Sequence, residues 1–180
     1  MLDALSRRLF LTLADSATLR RTVGRYGMRG PRSFARRFIG GRDVDEAISA
    51  ARSLELRGLL HTFNYLGEHV RSLDAAEQAT LAYISVIETV RLAGLSCSLS
   101  VKLTQLGLEI APNTCAAGLR RILQAAAGER CFVRVDMESS GLVDPTLDVV
   151  EALWREGVHN VGVVLQSALR RADADLEHVN

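Results

Sequence analysis

Three residues have the types and positions to do chemistry: Lys102, Asp136 and Gln166. Each closes a short apolar segment that alternates with period two. In residues 97–103, Leu99, Val101 and Leu103 share one side, and Ser98, Ser100 and Lys102 share the other. In residues 131–137, Val133, Val135 and Met137 oppose Phe132, Arg134 and Asp136. In residues 161–166, Val161, Val163 and Leu165 oppose Gly162, Val164 and Gln166. The three polar residues thus fall at the C-terminal ends of predicted strands, on the more polar side of each. A lysine and an aspartate brought together support each other's charged forms. A glutamine offers both a donor and an acceptor, which suits the polar edge of a planar ring. The bland alternative is a buried ion pair with no catalytic role.

Other residues carry weaker signals. Glu68 follows Gly67 at the end of the first predicted strand and reads as the start of a solvated loop. Arg134 lies deeper on the polar side, as a structural partner for a carboxylate. Ser139-Ser140-Gly141 reads as a plain turn, and Trp154 falls on an apolar helix stripe. No Ser–His–Asp or Cys–His arrangement follows from the spacings. The histidines (His61, His69, His159 and His178) form no metal-ligand motif. Cys97, Cys115 and Cys131 are odd in number and lack a Cys-x-x-Cys spacing, so they read as small buried hydrophobes in a reducing compartment.

The elements that must position these residues alternate. Residues 1–58 read as helices only: Leu2, Leu5, Leu9 and Leu13 mark one face, and Asp43 with Glu46 forms a capping box before a stripe at Val44, Ala47, Ile48, Ala51 and Leu54. From residue 59 the rhythm becomes strand then helix, four times over. The predicted strands are 59–66, 97–103, 131–137 and 161–166. The helices between them end at Gly94, Gly128 and Gly157, and a polar helical tail begins near Arg170. One helix starts near Thr114, and another at Asp144-Pro145 with the proline in its first position. Such alternation implies parallel strands with right-handed crossovers. No Gly-rich phosphate fingerprint follows the first strand. A strand that is apolar on one side and polar at its end suits a barrel better than an open sheet covered on both faces. The expected class is α/β, of the (βα)8 TIM-barrel type.

Composition sets few further limits. The chain has 180 residues, 48% of them hydrophobic, and a net charge of +1, which gives no general pull toward nucleic acid. No apolar run approaches the roughly 20 residues of a membrane span. The expected location is cytoplasmic.

Four segments resemble, in order and spacing, successive barrel strands of bacterial proline dehydrogenases. They are Phe63-Asn64-Tyr65-Leu66-Gly67-Glu68, Ser100-Val101-Lys102-Leu103-Thr104-Gln105-Leu106-Gly107, Val133-Arg134-Val135-Asp136-Met137-Glu138 and Asn160-Val161-Gly162-Val163-Val164-Leu165-Gln166. The tail Leu169-Arg170-Arg171-Ala172-Asp173-Ala174-Asp175-Leu176 is similar to that family as well. The resemblance implies oxidation of L-proline to Δ1-pyrroline-5-carboxylate, with hydride passing to non-covalent FAD and electrons to a quinone at the membrane surface. It places Lys102 near the proline pocket and Asp136 by substrate and flavin, both as catalytic residues. It assigns Asp136, Met137 and Gln166 to the flavin, and no metal.

The family's later strands, with their arginines and phosphate-binding residues, have no counterpart in the chain. The expectation is therefore an N-terminal helical segment, 1–58, followed by the first half of a barrel, 59–180. This would be a fragment that is inactive alone and retains little FAD, with open edges that invite self-association. Two rivals remain. One is a non-enzymatic half-barrel remnant or interaction module. The other is a different barrel enzyme using Lys102 as a Schiff-base amine, which the charge of nearby Asp136 would disfavour.

Overall fold

The computed structural model describes residues 38–128 and 131–179, together with Ser16. The helix expected around Leu2, Leu5, Leu9 and Leu13 lies outside the described residues. The chain divides into two units, Met1–Ala50 and Ala51–Asn180. Helix α1 (Val44–Glu55) begins where the capping pattern placed it, with the Glu46 amide donating to Asp43 Oδ1 at 3.0 Å. The Glu46 carboxylate accepts from the Arg42 amide at 3.1 Å, so the reciprocal half of the box is displaced by one residue.

Four parallel strands follow in sequence order: β1 (Phe63–Asn64), β2 (Ser98–Val101), β3 (Phe132–Val135) and β4 (Val161–Val163). Their register sets Phe63 against Leu99, Leu99 against Val133, and Val133 against Val161. Between them run α2 (Leu73–Leu92), α3 (Pro112–Ala127) and α4 (Val143–Arg155), and α5 (Ala172–His178) follows β4. Parallel neighbours require such crossovers, because a short turn cannot return the chain to the starting end. This is the α/β barrel-type order that the alternation predicts.

The strands are shorter than the apolar segments that announce them. Ladder-type bonds run one residue further, with the Asp136 amide donating to Val101 O and the Val164 amide to Val135 O, both at 2.9 Å. After Lys102 the chain tightens into a 3-10 turn, Leu103–Leu106, and Gly107 closes it at φ +88°, where a Cβ would be strained. Leu103 therefore leaves the strand yet stays fully buried.

The core lies on one side of the sheet. On that side Leu99, Val101, Val133, Val135 and Val161 of the strands, Tyr83, Ile87 and Val90 of α2, Leu119, Ile122 and Leu123 of α3, and Val150 and Leu153 of α4 are all buried. The other side is far more open: Phe132 is 42% exposed, and Asn64 and Arg134 are exposed too. This one-sided burial produces the alternation seen in the sequence.

Helix starts depart from the expected positions in understandable ways. Ser72 caps α2 by accepting from the Ala75 amide at 3.2 Å. Helix α3 starts at Pro112, two residues before the expected Thr114, because proline is at home in a first turn. Helix α4 begins at Val143, after a 3-10 turn at Ser140–Leu142, so Pro145 sits third rather than first. First-turn amides have no intrahelical acceptor, so proline is tolerated there as well. Trp154 is half-buried, and its indole N–H donates to Val161 O at 3.0 Å, tying α4 to β4.

The cysteines correct the sequence reading. Cys97 and Cys131 each precede a strand by one residue, and the pairing of Ser98 with Phe132 sets them side by side. Their Cα atoms are 4.6 Å apart and the two are joined as a disulfide. The 34-residue separation is invisible to spacing rules, which look for local motifs. Cys115 is free and buried, as expected.

Candidate active site

Lys102 and Asp136 meet at the C-terminal ends of β2 and β3. Lys102 Nζ lies 3.3 Å from Asp136 Oδ2, with both side chains about three-quarters buried. The Ser100 hydroxyl donates to the other oxygen, Oδ1, at 2.5 Å. Each carboxylate oxygen thus has its own donor, which fixes the orientation of the group. The ammonium has three donors and spends one here. Ser100 on β2 and Lys102, still extended one residue past its end, stand two residues apart, so they project to the same side and clasp one group at the end of the next strand.

Gln166 is exposed beyond the end of β4. Its Nε2 donates to Met137 O at 3.4 Å, a long bond, and among the described residues its oxygen and second N–H are uncommitted. Met137 reaches this region only through its backbone carbonyl. Its side chain packs in a buried apolar cluster with Val143 and Leu147, against Val163, Leu165 and Leu169. The geometry therefore unites Lys102 with Asp136 directly and adds Gln166 through the backbone next to Asp136.

A second hydrogen-bond hub lies beside this pair. The Thr104 hydroxyl donates to Glu138 Oε1 at 2.5 Å, and the Thr104 amide donates to Oε2 at 3.0 Å. The same hydroxyl accepts from the His69 amide at 3.1 Å, and Thr104 O accepts from the Val70 amide at 3.3 Å. This ties the segment after β1 down onto the ends of β2 and β3. His69 has φ +50°, and its Nδ1 lies 2.6 Å from Glu109 Oε2. The hydrogen bond to Glu109, reinforced by the charges of Glu109, Glu68 and Glu138, raises its pKa above the ordinary histidine value. Glu68 is exposed within this segment, as the loop reading expects.

Gln105 supports the segment from below. It is 3% exposed, and the surrounding partners orient its amide nitrogen toward Tyr65 O (3.1 Å), Tyr83 Oη (3.0 Å) and Gly67 O (3.3 Å). A Cβ on Gly67 would stand 2.4 Å from the other terminal atom of that amide, its oxygen in this orientation, so glycine is required by the close approach. Burial, with Asp136 next, pushes the Tyr83 phenol well above its usual pKa, leaving it a neutral donor.

Several of these residues escaped the sequence reading. Glu138 shares the parity of Asp136, two residues on, and that was an available signal. Thr104, Gln105 and Tyr83 had none, since they act after the strand period ends. Arg134 lacks the expected carboxylate: among the described residues it makes no ion pair.

Comparison with known proteins adds an independent line. The family model described as Proline dehydrogenase matches residues 47–180. Proline dehydrogenase 2 of Bacillus subtilis (strain 168) is 32% identical over 176 residues, covering 98% of this chain and 57% of that protein. Proline dehydrogenase of Deinococcus radiodurans is 33% identical over 179 residues, covering 97% of this chain and 56% of that protein. The chain thus spans little more than half the length of these relatives. Among solved structures, proline utilization A from Bdellovibrio bacteriovorus, inactivated by N-propargylglycine, superposes with a TM-score of 0.71 at 21% identity, over 78% of this chain and 18% of that one. A Bradyrhizobium japonicum proline utilization A variant gives 0.63 at 24% identity, over 77% and 16%. At such identities these structures speak for the fold alone.

Proposed function

The chain belongs to the proline dehydrogenase family, and from that premise we propose that it contributes Lys102 and Asp136 to a site that oxidises L-proline to Δ1-pyrroline-5-carboxylate. The observation that carries this reading is the Lys102–Asp136 pair at adjacent strand ends, 3.3 Å apart and still partly open to solvent. Charge complementarity assigns the roles. The free N–H donors of Lys102 face the substrate carboxylate, and the Asp136 carboxylate, held by Ser100, faces the ring nitrogen.

FAD is the cofactor of this proposal. Gln166 fits it, because an exposed amide with an uncommitted donor and acceptor suits the polar edge of a flavin ring. The Met137 contribution is limited to holding that amide through its carbonyl. When bound, FAD supplies the hydride acceptor, while the protein supplies position and charge. The proposal includes a quinone at the membrane surface as electron acceptor and a cytoplasmic chain peripheral to that membrane. Among the described residues no helix is long and apolar enough to cross a membrane. It also keeps 1–58 as a helical segment and 59–180 as the first half of a barrel, whose open edges favour self-association.

The test is proline-dependent dye reduction, with FAD present, by a full-length member of the family that carries the corresponding lysine and aspartate; the 180-residue chain alone should show none. In that member, alanine at the position of Asp136 should lower kcat/KM by about 100-fold or more while the circular dichroism stays unchanged. Unchanged turnover in that variant would overturn the assignment.

A further inference from the structure

We propose that Cys97 and Cys131 form a reversible dithiol–disulfide site, a redox-sensitive staple between β2 and β3 at the strand ends opposite Lys102 and Asp136. The placement makes the case. Both cysteines precede their strands by one residue, stand side by side in the parallel register, and are bridged with Cα atoms 4.6 Å apart. Lys102 and Asp136 follow the same two strands by one residue, each five residues beyond a cysteine. The bridge and the ion pair therefore pin one strand pair at its two ends. The site is independent of whatever reaction the ion pair performs.

The surroundings suit thiol exchange. Cys97 is half-buried and lines a surface opening with Glu55, His61, Thr62, Ser98 and Arg134, whereas Cys131 is 1% exposed. Among the described residues His61 Nε2 is buried without a hydrogen-bond partner, 3.8 Å from Glu55 Oε1. Arg134 lines the same opening. Cys115 is a built-in control. It is fully buried, its thiol donates to Leu103 O at 3.5 Å, and burial pushes its pKa up to about 12.

The reductant is a dithiol. Its first thiolate attacks the accessible Cys97 Sγ, forming a mixed disulfide and releasing the Cys131 thiolate. Its second thiolate then closes the reductant's own disulfide and releases the Cys97 thiolate. The two thiolates take up the two protons that the reductant gives up. Oxidised glutathione runs the exchange in reverse, with two glutathione thiols as products.

The experiment uses the native full chain. Samples are treated with oxidised glutathione or dithiothreitol, blocked with N-ethylmaleimide, and weighed intact by mass spectrometry. The oxidised sample should carry no label, and the reduced sample two labels that map to Cys97 and Cys131. The two labels should disappear again after return to oxidised glutathione. Closing a 34-residue separation should also raise Tm by about 5–10 °C over the reduced form, with no such shift in Cys97→Ser. Two labels under both conditions would overturn the site. So would a bridge that opens only on denaturation, or a redox shift of Tm that persists in Cys97→Ser.

Discussion

Asp136 is a carboxylate with a separate donor on each oxygen, and this arrangement can be tested one partner at a time. Ser100→Ala removes the 2.5 Å bond to Oδ1 from a buried site. It should cost roughly 1–3 kcal/mol in urea unfolding, because a buried acceptor loses its partner. It should also lower turnover less than Asp136→Ala does, since Lys102 still holds Oδ2. His69 gives a test with pH. Its folded pKa is raised, mainly by the hydrogen bond to Glu109. A raised pKa means a contribution fully present below about pH 6.5, the unfolded value, and lost as pH rises through the folded value. The difference in Tm between the native chain and His69→Ala should therefore be largest at pH 6 and shrink toward pH 9. A difference that grows with pH would contradict the His69–Glu109 contact. At this scale the sequence was partly legible. Period-two parity exposed Lys102, Asp136 and Gln166, but it assigns sides, not partners. It could not show that Ser100 reaches Asp136, or that Met137 offers only its carbonyl.

The segment after β1 shows how an element without regular structure is held. Thr104 accepts from the His69 and Val70 backbones and donates to Glu138, while Gln105 grips Gly67 and Tyr65 from beneath. Thr104→Val keeps the shape and removes the hydroxyl. It should raise amide hydrogen exchange at His69 several-fold or more while leaving the α3 core amides protected. Equal exchange in both proteins would show that Thr104 does not tether the segment. Gly67→Ala should destabilise by about 1–3 kcal/mol, because the 2.4 Å approach to Gln105 forces a buried side chain to move. Strand and helix existence was readable here from the apolar period and the glycine stops. The ends were not, because tertiary pairing decides where a ladder stops. Val101 still pairs with Val135, whereas Leu103 turns into the 3-10 segment to reach the core.

At the scale of the molecule, one sheet face is packed and the other is open, and stability should divide the same way. Leu99→Ala, at a fully buried position, should cost about 2–5 kcal/mol. Phe132→Ser, from an aromatic 42% exposed on the opposite face, should cost clearly less. Comparable urea midpoints for the two variants would contradict the one-sided core. Parallel order and one-sidedness were legible because each strand advertised its apolar side. The Cys97–Cys131 bridge was not, because only the register brings those residues together. The proposed role of the strand ends on the open face, Lys102 and Asp136 foremost, is to act on proline beside a flavin. The most direct measurement is anaerobic bleaching of bound flavin absorbance by L-proline in a full-length member of the family, native against the alanine variant at the position of Asp136. Rapid bleaching is expected with the native aspartate at that position, and a rate at least about 100-fold lower in the folded, flavin-loaded alanine variant; bleaching at the native rate in that variant would overturn the assignment.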